Sequence, residues 1–357
     1  MTNIPAITPA YATQPAGTPW PTTEWPQGTA SNIDELNEII EAAINDPGLG
    51  DTRTVLVIKN GRIIAERYHG EIPFFDRPAE PVGVDTTQIS WSMAKSMLAH
   101  LVGTLVDEGR LNPADRAPVP EWSDPNDPRH AITLADLLAM RDGLEFSEEY
   151  DVDSGSDVIR MLFAEGAEDM AHFTASKPLA HAPGTFWNYS SGTTNIIARI
   201  VADVVGYGEA YQQFITERLF GPLGMSTAIP KFDDSGNFIA SSYVYATARD
   251  FAKFGLLYLR GGEWDGQRLV STAWVDTAQT PLSIDEEAGT FYSWQWWVTG
   301  DQYGSYWANG FEGQSITVVP ALDAVIVRLG RTEADDYPAL RAWRARLIEA
   351  VERTVVS

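Results

Sequence analysis

Between Met93 and Val106 the chain has almost no polar face. Met93, Ala94, Met97, Leu98, Leu101, Val102, Leu105 and Val106 recur at helical spacing and leave few positions for water. A helix that is apolar around most of its circumference has to be buried, so other elements must wrap around this one. Gly109 stops it. Its start reads Ser90-Trp91-Ser92-Met93-Ala94-Lys95-Ser96.

A lysine inside such a helix is expensive unless it has a task. Ser92 and Lys95 stand three residues apart and therefore share a face. A serine hydroxyl is a poor nucleophile until a base takes its proton. A lysine can be that base only when neutral, and burial lowers its pKa in that direction. The helix N-terminus also presents free N–H groups on which an oxyanion could rest. The alternative is an ordinary helix, with Ser92 as its N-cap and Lys95 as a surface charge.

Composition excludes several other chemistries. The chain of 357 residues has no cysteine, which removes disulfides, thiol nucleophiles and thiolate metal sites. Its five histidines (69, 100, 130, 172 and 181) show neither His-x-x-x-His nor His-Glu-x-x-His spacing, which argues against a zinc hydrolase. Net charge is −24. Such a surface repels nucleic acid and anionic lipid, so neither is expected as a partner. No apolar run approaches membrane-spanning length, and residues 1–30 lack a signal-peptide pattern. The expectation is a cytoplasmic protein acting on a small molecule, with a homodimer left open.

The order of elements suggests the architecture. Residues 1–30 form an irregular arm carrying Trp20 and Trp25. A helix from Ser31 has the apolar stripe Ile33, Leu36, Ile39, Ile40 and Ile44. Thr54–Ile58 and Arg62–Tyr68 are strands joined by Asn60-Gly61, a strong hairpin signal. From 116 to about 260 the pattern is mostly helical, with helices at 134–140, 154–163, 193–205, 211–219 and 247–260. Strand character returns at 291–298, 314–319 and 324–329, before a terminal helix over 337–355. This predicts an α/β fold of the α+β type. Its antiparallel sheet is built from both chain ends (31–90 plus 285–357) and flanked by the terminal helices. A mostly helical lobe (91–284) is inserted, and the active site lies at the junction.

Five motifs follow one another: Ser92-Met93-Ala94-Lys95, Leu137 to Leu144 (Leu-Leu-Ala-Met-Arg-Asp-Gly-Leu), Pro183 to Ser191 (Pro-Gly-Thr-Phe-Trp-Asn-Tyr-Ser-Ser), Leu219 to Met225, and Gly310-Phe311-Glu312-Gly313-Gln314. In this order they resemble the serine β-lactamase-like hydrolases of the class C type. Among these the chain is most similar to 6-aminohexanoate-dimer hydrolases and family VIII carboxylesterases. The resemblance covers about residues 31–355 and implies the β-lactamase/penicillin-recognising fold.

It also implies roles. Ser92 would be the acylated nucleophile, Lys95 its base partner, and Tyr189 the tyrosine of the family's Tyr-x-Asn motif. The backbone N–H groups of Ser92 and Phe311 would form the oxyanion hole. Tyr150, Trp307, Asn309 and Gly310 would touch substrate, with Tyr150 near the scissile amide nitrogen. No metal or organic cofactor is implied. Two departures point away from a true β-lactamase. The third family motif, Lys-Thr-Gly or His-Thr-Gly, reads Ala308-Asn309-Gly310 and lacks its cation. Ser191 stands where Tyr-x-Asn has asparagine. The implied reaction is hydrolysis of a linear amide through an acyl-enzyme, with small-ester hydrolysis as the alternative and a non-catalytic penicillin-recognising module as a third reading. The acidic run Glu148, Glu149, Asp151 and Asp153 could attract a substrate ammonium group, or could be a solvated face.

Overall fold

The computed structural model describes residues 4–73, 78–150, 154–286 and 288–357. Asp151 and Asp153 of the acidic run lie outside them. An eight-stranded antiparallel sheet forms the frame. Its strands are β1 (Asp51–Lys59), β2 (Arg62–Tyr68), β3 (Ser283–Asp285), β4 (Thr290–Tyr292), β5 (Trp297–Val298), β6 (Tyr306–Asn309), β7 (Ser315–Val319) and β8 (Ala324–Arg331). They lie in the order β3-β4-β5-β6-β7-β8-β1-β2. Both ends of the chain thus supply the sheet, and β1 and β8 join them, with Leu56 opposite Val327 and Val57 opposite Ile326.

Helices cover both faces, which is why β1 reads as a continuous apolar run rather than an alternation. Val55 and Val57 pack with the terminal helices α1 (Ile33–Asn45) and α5 (Tyr337–Glu352). Leu56 and Ile58 enter the larger core with α2 (Met93–Asp107), α3 (Ser191–Val205) and α4 (Ala248–Leu259). The stripes read from sequence are the buried ones: Leu36, Ile39 and Ile40 on α1, and Leu340, Trp343, Leu347 and Val351 on α5. Trp343 ties the two helices by donating its indole N–H to the Ile39 carbonyl at 2.9 Å. The Asn60-Gly61 turn has both residues at positive φ (53° and 71°), as a two-residue hairpin requires.

Two elements differ from expectation. The strand expected over 291–298 is two strands, β4 and β5. Gln295 sits between them at φ 60°, and its side-chain amide donates to the Leu138 carbonyl at 3.0 Å. A tertiary tie there outweighs local strand preference. The helix expected over 211–219 is α-helical only over Glu209–Ile215 and continues as a π-turn through Phe220. The N-terminal arm lies along the body: Trp20 packs on Trp264, and Trp25 donates to the Arg249 carbonyl at 3.1 Å. Among the described residues no helix is long and apolar enough to cross a membrane.

α2 is enclosed, with every residue from Met93 to Leu105 buried. Gly103 packs hard against a neighbour, since a Cβ there would stand 2.5 Å from the Trp274 ring. Gly→Ala inside a helix ordinarily stabilises by about 1 kcal/mol. Here overpacking should win, and Gly103→Ala is expected to destabilise by about 1–3 kcal/mol. The denaturant midpoint should therefore fall, and a rise would contradict this packing.

Candidate active site

Ser92 reaches the mouth of α2 through a strained turn. Trp91 has φ 44°, a left-handed conformation that costs a bulky residue about 1–3 kcal/mol. Surrounding contacts hold it. The Ser90 amide donates to the Val244 carbonyl at 2.8 Å, and the Val244 amide donates to the Ser90 hydroxyl at 3.0 Å. The Trp91 ring lies between Tyr243 and Phe311. Ser92 occupies the N-cap position, yet its side chain makes no capping bond.

Lys95 donates to Ser92 Oγ at 3.2 Å, to Ser191 Oγ at 2.9 Å and to the Ser241 carbonyl at 2.9 Å. It is 2% exposed. Lys95 is therefore not a surface charge, and Ser92 sits at the N-cap position without making the capping bond. Burial pulls the Lys95 pKa down to about 8, and the nearby negative charge of Glu148 pulls the other way. A neutral fraction of roughly a tenth is therefore available at pH 7, far more than an exposed lysine offers.

Tyr189 packs against the same lysine, with Lys95 Nζ 5.1 Å from its ring centroid. Burial and Glu148 push its hydroxyl well above the usual tyrosine range, while a hydrogen bond with Ser92 acts in the opposite sense. In the resting site Tyr189 is thus a phenol, a proton donor rather than a standing base. Trp297 lies against its ring at 5.5 Å.

A cleft of about 460 Å³ opens in front of these groups. Ser92, Tyr150, Tyr189, Asn309, Gly310 and Phe311 line it, with Trp297, Thr332, Glu333, Ala334 and Tyr337. Among the described residues the amides of Ser92 and Phe311 donate to no protein acceptor. Gly310 lies hard against the strained turn: a Cβ there would stand 2.4 Å from the Ser90 carbonyl oxygen. Trp307 does not line this cleft. It is buried on β6, stacked on Trp297, and faces an adjoining pocket.

Tyr150 lies in the cleft, stacked on Phe311 at 4.4 Å. Its hydroxyl is already engaged, donating to Glu148 Oε1 at 2.6 Å. Glu148 also accepts from the Ser191 amide at 2.8 Å and from the Ser191 hydroxyl. Ser191 in turn accepts from Lys95. The serine that replaces the motif asparagine therefore bridges the lysine to a carboxylate from the loop. Glu148 is not part of a solvated face. Sequence reasoning named it only within the acidic run, and spacing held no signal of its contact with Ser191, 43 positions away. Trp297 and Tyr337 were likewise legible only as a strand aromatic and a helix start.

With the geometry in hand, the comparisons with known proteins are specific. The fold is that of the β-lactamases and penicillin-binding proteins. The Beta-lactamase family pattern matches residues 31–350, and the chain belongs to that family. It is 28% identical over 325 residues to a 6-aminohexanoate-dimer hydrolase of Paenarthrobacter ureafaciens, covering 84% of this chain and 76% of that one. Solved structures with the same fold include a Bacillus anthracis protein provisionally named a 6-aminohexanoate-dimer hydrolase. It has a TM-score of 0.75 and 20% identity, and the match covers 98% of this chain and 91% of that one. A family VIII carboxylesterase matches with a TM-score of 0.69 and 16% identity, over 92% of this chain and 99% of that one.

The lysine's burial gives a stability prediction. Its folded pKa is about 8 against 10.5 for the unperturbed group. Below pH 8 both folded and unfolded chains carry the ammonium, and the folded one bears its desolvation. Lys95→Met is therefore expected to match or exceed the wild type in thermal stability at pH 7, by roughly 1–3 kcal/mol. The difference should shrink as pH rises from 8 to 10.5, where the wild-type lysine sheds its proton. A variant markedly less stable at pH 7 would contradict the burial argument.

Proposed function

We propose that this chain is a serine hydrolase that cleaves linear amides, of the 6-aminohexanoate-oligomer or short-peptide kind, through an acyl-enzyme. The observation that carries the reading is the buried Lys95 Nζ, 3.2 Å from Ser92 Oγ, with its pKa lowered to about 8. Neutral Lys95 takes the Ser92 proton as Oγ attacks the carbonyl carbon. The oxyanion rests on the amides of Ser92 and Phe311. Tyr189, held as a phenol, gives its proton to the leaving nitrogen, and the Lys95 ammonium returns one to it. Water then attacks the acyl-enzyme by the reverse route and releases the acid. No metal or organic cofactor takes part.

Hydrolysis of small esters is the second reading, and one observation favours it. An amine leaving group needs proton help that an alkoxide does not, and the Tyr150 hydroxyl is committed to Glu148 rather than free for the leaving nitrogen. The comparison that separates the two uses one acyl group presented as an anilide and as a phenyl ester. If the ratio of kcat/KM stays within a few tens, the nitrogen is being assisted; if only the ester turns over, the chain is an esterase.

Ser92→Ala should abolish turnover of both compounds, and the wild type should show an acyl adduct on Ser92 by mass spectrometry with a slow ester. Full activity in Ser92→Ala would overturn the proposal. The acid limb of kcat/KM should have an apparent pKa near 8, from Lys95. Glu148 favours the charged lysine, so Glu148→Gln should move that limb to lower pH. An unmoved limb would remove Lys95 from the base role.

A further inference from the structure

Arg344 on α5 is only 8% exposed. Its guanidinium has no hydrogen bond and no ion pair among the described residues. It lies against the Trp307 ring, 5.4 Å from Cζ to centroid. The other buried arginine of this region, Arg328, behaves as buried arginines usually do. It donates to Thr52 and Thr332 hydroxyls and to the Glu312 and Leu49 carbonyls. A buried cation without acceptors is costly, and in native proteins it calls for a partner. For Arg344, burial and the neighbouring Arg341 both weaken the charged form, and among the described residues no carboxylate offsets them.

Arg344 and Arg341 line a cavity of about 190 Å³ between α5 and strands β4–β6. This cavity shares Trp297, Asn309 and Tyr337 with the Ser92 cleft, so the two lie side by side. An outer pocket of about 350 Å³ shares Thr290, Trp307, Arg341 and Arg344 with it. Acids are present on the walls. Asp285 lines the inner cavity and accepts from the Ala288 amide at 3.1 Å. Asp301 lines the outer pocket and accepts from the Tyr303 and Ser305 amides. Glu349 also lines the outer pocket. None of them pairs with Arg344.

We propose that this cavity is a carboxylate subsite, in which the Arg344 guanidinium, backed by Arg341, anchors the anionic end of a linear chain whose other end reaches Ser92. The flat fork of an arginine stacked on Trp307 suits the two oxygens of a carboxylate. The aromatic walls of Trp297, Trp307 and Tyr337 suit a run of methylenes between the two ends. The use of the subsite in turnover rests on the hydrolase reading above; its occupancy by a carboxylate does not.

The test therefore measures binding without turnover. In the Ser92→Ala protein, hexanoate and hexanamide are titrated against tryptophan fluorescence and by calorimetry. They share a chain and differ in the charge at one end. Hexanoate should bind saturably, and hexanamide at least tenfold more weakly. Adding Arg344→Met should raise the Kd for hexanoate tenfold or more and leave that for hexanamide unchanged; Arg341→Gln should raise the hexanoate Kd severalfold. Arg344→Gln, which keeps most of the volume and a donor, provides the same reading if the methionine variant does not fold. Equal binding of the two probes, no binding of hexanoate, or a hexanoate Kd unmoved by loss of Arg344 would each overturn the proposal. Full hydrolysis by Ser92→Ala would sink the hydrolase reading and leave this binding result standing.

Discussion

The desolvation of Lys95 is the constraint on which the site depends. An ammonium group placed in a helix buried from Met93 to Leu105 has no water to lean on. Three oxygens surround it, from Ser92, Ser191 and the Ser241 carbonyl, and none belongs to a carboxylate. The carboxylate of Glu148 acts through Ser191. Direct contact with a carboxylate would hold the proton on the lysine, and complete isolation would drive it off far below neutral pH. One intervening hydroxyl sets an intermediate balance. The same arrangement keeps Tyr189 a phenol, because burial and Glu148 both oppose the phenolate. The two groups thus differ: Tyr189 holds its proton throughout the neutral range, while Lys95, with its pKa lowered to about 8, can lose its own within a unit or so of neutral pH.

Much of this was legible in the chain. Ser92 and Lys95 are read from their three-residue spacing and the apolar run that follows. The stripes of α1 and α5 and the Asn60-Gly61 hairpin are local patterns with local causes. The motif around Tyr189 identifies its region, although motif matching says nothing of the phenol's protonation. What was not legible depends on which distant segments meet. Glu148 looked like one acid among several until the fold brought it to Ser191. Trp297 looked like part of one strand until Gln295, tied to the Leu138 carbonyl, broke that strand in two. The aromatic residues resisted the same way: Trp297 and Trp307 belong to the same sheet face, yet one reaches the Ser92 cleft and the other turns to an adjoining pocket.

The turn at Trp91 shows where strain is placed. A left-handed tryptophan directly before the candidate nucleophile is tolerated because Ser90, Val244, Tyr243 and Phe311 over-determine it. Gly310 then allows the neighbouring strand end to approach the Ser90 carbonyl. The amides of Ser92 and Phe311 are brought to the cleft by these two features, one a strained turn and the other a missing side chain.

The pairing of β1 with β8 also governs how the molecule can be made. Leu56 emerges from a ribosome long before Val327, its partner across the sheet. At the usual pace of synthesis the wait is on the order of tens of seconds. Through that interval β1 and β2 form a hairpin whose inner edge is open and whose two faces are both apolar, the kind of surface on which nascent chains associate. The helical segments from α2 to α4 are completed in the meantime, but they cannot seal a sheet whose central strand has not yet been translated. The sheet can therefore close only once β8 has been made, and the yield of folded chain depends on how well that early hairpin is kept apart from others like it.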